Sequence, residues 1–180
     1  GQAHRHRDAV GAQGGHGPAQ AQPGPAAAAR HPTRRAAGTA GGDLAWLADS
    51  KGFYYSRYPR GDERAADDEL FYVQLYRHML GKPTAEDTYE VGKDFVRIAE
   101  VFIDVDANGD ALCTIQKGDG GEFELFLQTG GYAKAGEWKK IAKYEDKIVQ
   151  GFFGPKNDLY FVSRKDAPRG KLLKSPRKDF

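Results

Sequence analysis

Cysteine is almost missing. Cys113 stands alone in 180 residues, which excludes an internal disulfide framework and any multi-cysteine metal centre. Its place in an apolar run predicts a buried small hydrophobe rather than a reactive thiol. No window of 18 consecutive apolar residues occurs, so neither a membrane-spanning helix nor a membrane partner is expected. The N-terminus lacks an apolar h-region, so no secretory signal is expected, and the expected location is cytoplasmic. No long segment repeats at 3.6 residues, and there is no room for crossover helices, which excludes a parallel α/β sheet. A surplus of one charge sign is missing as well. Residues 1–42 hold five of the 27 Lys and Arg and one of the 25 Asp and Glu, leaving 22 against 24 in residues 43–180. That near-neutral balance gives no electrostatic footprint for nucleic acid, although the sequence pI is 8.6. Glycines 118, 120 and 121 have no Lys-Ser or Lys-Thr after them, so no phosphate-cradling loop is read there.

Residues 1–42 are mostly Ala, Gly, Pro, Gln, His and Arg, with Val10 the only large aliphatic side chain. Such a stretch cannot bury enough apolar area to offset chain entropy, and a disordered tail is expected. Four of the five histidines lie in it (His4, His6, His16 and His31), with nothing to fix a ligand geometry.

From Asp43 onward the hydrophobic period is two. Three turn signals each open an apolar strand. Asp49-Ser50-Lys51-Gly52 precedes Phe53-Tyr54-Tyr55, Ala107-Asn108-Gly109-Asp110 precedes Ala111 to Ile115, and Pro155-Lys156-Asn157-Asp158 precedes Leu159 to Val162. Gly52 to Gly109 is 57 residues and Gly109 to Asn157 is 48. A strand-only repeat of that length suggests propeller blades. The expectation is an all-β, antiparallel partial β-propeller of about three four-stranded sheets over residues 43–180, with units at about 43–91, 98–144 and 147–174. The longest strand is expected at 70–79. One to three blades cannot close a ring, since propellers typically have about four to eight.

Several stretches resemble sites. Asp104, Asp106, Asn108 and Asp110 match the opening of a calcium loop, D-x-D-x-N-G-D. The twelfth position is Ile115 where a bidentate Glu is needed, and the flanks read as strands, so a polar hairpin turn is expected and no metal or other cofactor. Ala48-Asp49-Ser50-Lys51-Gly52 is similar to a relaxed nucleophile elbow, but a strand follows where an elbow needs a helix. His78 is the only downstream histidine. No catalytic residue is therefore assigned. Asp62, Glu63, Asp67, Asp68 and Glu69 read as a solvated loop, and Lys165, Arg169, Lys171, Lys174, Arg177 and Lys178 as an ordinary polar end. Tyr54, Tyr55, Tyr58, Tyr72 and Tyr76 sit at strand spacing, which favours packing over a stacking platform for nucleic acid.

Four stretches together resemble the propeller of the prolyl oligopeptidase family. They are Ala45-Trp46-Leu47-Ala48-Asp49-Ser50-Lys51-Gly52-Phe53-Tyr54-Tyr55-Ser56-Arg57-Tyr58-Pro59, then Leu75-Tyr76-Arg77-His78-Met79-Leu80-Gly81 with Glu86-Asp87, then 106–112, then 158–164 with Asp166-Ala167-Pro168-Arg169-Gly170. The resemblance covers about residues 43–174. It implies a seven-bladed propeller joined to an α/β-hydrolase domain that cleaves short peptides after proline through Ser, Asp and His. The propeller would cover that site and admit only small unstructured peptides. This chain would supply under three middle blades of such a serine endopeptidase and no catalytic triad. Its partners would be the parent's hydrolase domain and short peptide substrates. The rival expectation is a free-standing interaction module completed by oligomerisation.

Overall fold

The structure is a computed structural model that describes residues 42–134 and 137–180. The tail expectation and four of the histidines lie outside the described residues. Alternating side chains and turn residues produce eleven antiparallel strands and only single 3-10 turns between them, with no α-helix among the described residues. The first blade is a meander of β1 (Leu44–Trp46), β2 (Gly52–Arg57), β3 (Gln74–Met79) and β4 (Thr88–Val91). The second is β5 (Ala99–Val105), β6 (Ala111–Lys117), β7 (Phe123–Gln128) and β8 (Lys139–Ala142). The third is β9 (Ile148–Phe153), β10 (Asp158–Ser163) and β11 (Lys171–Pro176). Neither sheet closes on itself, and the architecture is an open, all-β partial propeller.

Two details differ from the four-stranded expectation. The third blade has three strands, and it joins the second in one seven-stranded sheet through the single pair Phe123↔Ile148. β8 pairs with β7 at Leu125, Phe126 and Leu127, so β9 takes the next place along the same edge. The expected strand at 70–79 begins only at Gln74. β2 offers six partners, from Gly52↔Met79 to Arg57↔Gln74, and then runs into Pro59. With no ladder left to join, Tyr72 takes φ 53° and its N–H bonds the carbonyl of Arg97. Arg97 and Arg64 stack over Phe71 and Tyr72 at 3.5 and 3.8 Å, which holds this detour against the sheet.

Sheets buried on both faces make the core. Tyr54, Val73 and Leu75 of the first blade pack on Val101, Ile103, Cys113 and Ile115 of the second. On the other side of the second blade, Leu112, Leu125 and Leu127 pack on Ile148, Leu159 and Phe161 of the third. β6 shows the logic in one strand: Ala111, Cys113 and Ile115 face one blade and Leu112 faces the other. The two end faces meet no further blade among the described residues. On the first, Phe53, Tyr55 and Tyr76 cluster beneath Trp46, which is 53% exposed. On the third, Phe152 stacks on Tyr160 at 5.8 Å beside Leu172, which is 63% exposed.

Candidate functional site

Aspartates placed two residues apart in a hairpin can serve a metal or the hairpin itself, and the hydrogen bonds separate the two. Asp106 Nα–H bonds the carbonyl of Asp110, and the Gly109 N–H bonds that of Asp106. Gly109 has φ 85°, the left-handed residue that a three-residue hairpin loop requires. Asp106 Oδ1 accepts the N–H groups of Asn108 and Asp110 at 2.9 and 3.0 Å. The Asn108 amide donates to Asp106 Oδ2 and to Asn157 Oδ1 at 3.1 and 3.0 Å, tying this turn to the one before β10. Asp110 Oδ1 accepts the Gly130 N–H at 2.8 Å. Asp104 points to solvent from β5.

The remaining oxygens face a cation from this chain. Arg177 Nη1 lies 2.6 Å from both Asp106 Oδ2 and Asp110 Oδ2. Its side chain lies over the Phe153 ring at 4.8 Å and is 7% exposed. Burial works against the guanidinium charge, and the hydrogen bonds to Asp110 and Asp106 outweigh it, so the Arg177 pKa rises. Sequence reasoning left Arg177 in an ordinary polar end. Nothing local marks it, since the partner Asp110 is 67 positions away. Among the described residues, no group of three or more His, Cys, Asp or Glu is arranged to hold a metal ion.

A second polar constellation joins the first two blades. Arg77 Nε pairs with Glu90 Oε1 at 2.7 Å, and the Trp138 indole donates to Glu90 Oε2 at 3.0 Å. Tyr54 donates its hydroxyl to Gln128 Oε1 at 2.6 Å, and its ring meets Trp138 edge-on at 6.0 Å. Arg77 also lies over Tyr132, whose hydroxyl donates to Asp49 Oδ2 at 2.8 Å. The Lys51 N–H, then the Tyr132 hydroxyl, hold the Asp49 carboxyl below its ordinary pKa. Apart from the Arg77–Glu90 pair, which lies within the first blade, these contacts cross from 44–91 to 99–142, so the seam sets how the blades lie together.

Ser50 and His78, the residues an elbow reading would use, lie on different elements. Ser50 sits in the exposed β1–β2 turn with φ 58°. His78 is buried on β3, with Nδ1 2.6 Å from Asp87 Oδ1 and its ring 5.2 Å from Phe53. Asp87 Oδ2 accepts the Tyr55 hydroxyl at 2.6 Å. Burial, and then that hydrogen bond, push the Tyr55 hydroxyl far above its ordinary pKa.

The other candidates fall into structural places. Cys113 is fully buried, and desolvation drives its thiol pKa far up, so a thiolate is disfavoured there. Tyr54, Tyr55 and Tyr76 are core residues, and Arg57 stacks over Tyr76 at 3.7 Å. Glu63 is not loose in its loop: it grips Arg57 with both oxygens at 2.8 Å and caps the Arg60 N–H. Asp68 pairs with Arg97 at 3.0 Å, while Asp62, Asp67 and Glu69 are exposed. No helix among the described residues is long and apolar enough to cross a membrane.

Comparison with known proteins gives this geometry a frame. The profile of the family described as the prolyl oligopeptidase, N-terminal beta-propeller domain matches residues 33–180. No curated protein matches the sequence. Among solved structures, the chain is similar to prolyl oligopeptidase B from Galerina marginata, apo protein, at 21% identity and TM-score 0.56, over 73% of this chain and 18% of that one. It is also similar to oligopeptidase B from Leishmania major, at 16% identity and TM-score 0.57, over 75% of this chain and 18% of that one. A third likeness, with the same four values as the second, is to oligopeptidase B from Trypanosoma brucei with covalently bound antipain, closed form. The chain thus spans under a fifth of the length of these structures.

Proposed function

The chain belongs to the prolyl oligopeptidase N-terminal β-propeller family, and from that premise we propose that it is part of a substrate-gating propeller in a serine endopeptidase that cleaves short peptides after proline. The open stack carries this reading. Three blades pack face on face, and both end faces present aromatic and aliphatic side chains. Such faces fit positions between further blades. In this role the blades perform no bond chemistry. They exclude: a rigid wall around the catalytic domain admits an extended peptide and stops a folded protein. The seam through Arg77, Glu90, Trp138, Tyr54 and Gln128 keeps adjacent blades from parting. The nucleophile, its base and its carboxylate would come from the hydrolase domain, and none is assigned to residues 1–180.

A chimera tests the gate. Residues 43–180 replace the matching segment of a full-length family member, and cleavage of a short proline-containing peptide is compared with cleavage of a folded protein. The expected result is cleavage of the peptide alone. A folded chimera that degrades the folded protein would overturn the assignment.

The same two end faces favour a second reading, an interaction module in which several copies complete a ring. Sedimentation of the whole chain separates the two. A discrete soluble oligomer supports the module, and open-ended association supports the partial gate.

A further inference from the structure

We propose that Asn108 is a modification site, an asparagine that deamidates through the backbone nitrogen of Gly109 at a rate the fold sets. The sequence holds two asparagines, Asn108 and Asn157. The fold joins them across 49 positions, with the Asn108 amide donating to Asn157 Oδ1 at 3.0 Å. Asn108 is exposed and is followed by glycine. The turn imposes that glycine, because position 109 has φ 85°, which L side chains rarely adopt. Glycine also leaves nothing beside its nitrogen to hinder attack on a neighbouring carbonyl carbon. The pair that closes the β5–β6 hairpin is therefore also the pair best suited to this reaction.

Water is the only co-reactant. The Gly109 nitrogen loses its proton and bonds to Asn108 Cγ, the Cγ–Nδ2 bond breaks, and ammonia leaves. Water then opens the cyclic imide at either carbonyl. The product is an aspartate, or an isoaspartate in which the main chain runs through Cγ. In the folded turn, hydrogen bonds oppose the first move. The Gly109 N–H is committed to the Asp106 carbonyl at 3.0 Å. The Asn108 N–H is held by Asp106 Oδ1 at 2.9 Å, and its side-chain amide by Asp106 Oδ2 and Asn157 Oδ1 at 3.1 and 3.0 Å. Attack requires that amide to let go and swing toward Gly109, so the reaction runs in molecules whose turn has opened. The product then disturbs what held it. Asn157 can turn its amide over and donate to the new carboxylate, but Asp106 has no proton to offer. A charge at position 108 faces Asp106 Oδ2, the atom that also takes Arg177. A brief opening of the turn is thereby recorded as a permanent change.

The test incubates the whole chain in mildly alkaline buffer, with and without denaturing guanidinium chloride, and digests it with trypsin. Mass spectrometry follows residues 98–117, bounded by Arg97 and Lys117, in which Asn108 is the single asparagine. Loss of the amide should be about tenfold or more slower in the folded chain than in denaturant. Asn157→Gly, at an exposed position with φ 60° that glycine adopts freely, removes one hydrogen bond and should speed the folded reaction about fivefold. Lys156→Gly, at φ 59° in the same turn, keeps Asn157 and should leave the rate within about twofold. In denaturant all three chains should react alike. Asn108→Asp should unfold at a lower urea concentration than the parent. Equal rates with and without denaturant, equal rates for the two glycine variants, or an amide at 108 that survives in both states would overturn the proposal. So would an unchanged urea midpoint for Asn108→Asp.

Discussion

Arg177→Met removes the charge between Asp106 and Asp110 and keeps an unbranched side chain over Phe153. The two carboxylates, 11% and 14% exposed, then face each other without a cation. Removing one partner of a buried ion pair costs about 3–5 kcal/mol. The low end applies, because Asp106 and Asp110 keep the N–H donors of Asn108, Asp110 and Gly130. Arg177 Nε is buried without a partner among the described residues, and its removal returns about 1 kcal/mol. The expected loss is about 2 kcal/mol, or a fall in melting temperature of about 4–8 °C for a domain of this size. Urea unfolding followed by circular dichroism measures it, with exposed Lys178→Met as a control expected within about 0.5 kcal/mol of the parent. A double-mutant cycle with Asp110→Asn should give a coupling of about 1 kcal/mol or more. If Arg177→Met matches the control, or the two changes add, the clasp does not hold the turns.

Tyr54→Phe strips the one side-chain hydrogen bond that Gln128 has among the described residues, where its Nε2 also lacks a partner, and should cost about 1–3 kcal/mol in the same urea assay. Leu75→Ala empties a fully buried site between the first two blades and should cost about 2–5 kcal/mol; a loss under about 1 kcal/mol would mean the blades do not pack there. Burial, with Glu124 adding to it, pushes the Tyr144 hydroxyl up to about 12, and burial raises Tyr54 and Tyr55 further. Unfolded tyrosines ionise near pH 10. The protonated hydroxyls therefore contribute stability in full below about pH 10, and that contribution fades as pH climbs through about 12; a flat urea midpoint across this window would contradict it. Trp46→Ser with Phe152→Ser should reduce concentration-dependent light scattering, because both end faces lose an exposed aromatic ring.

Much of the fold was legible because strand signals are local. Alternation in Val101, Ile103 and Val105, or in Phe123, Leu125 and Leu127, names a strand and its faces without any partner in view. The turns at 49–52, 107–110 and 155–158 mark where strands reverse, and the run from Ala45 to Pro59 carries the family resemblance. Apolar residues on both faces of β6 already required a sheet on each side. The strand limit at Gln74 was not legible, because residues 70–73 are as apolar as a strand and end it only for lack of a ladder. The calcium-like turn was read as a polar hairpin, but the partner of its carboxylates, Arg177, was not legible. Composition, period and turn chemistry thus determined an antiparallel, blade-like, unclosed β-protein. Only the tertiary structure decided which side chains meet across blades and that β9 continues the edge of β7. Those outcomes depend on residues tens of positions apart being brought within a few ångströms, and no local pattern encodes such a distance.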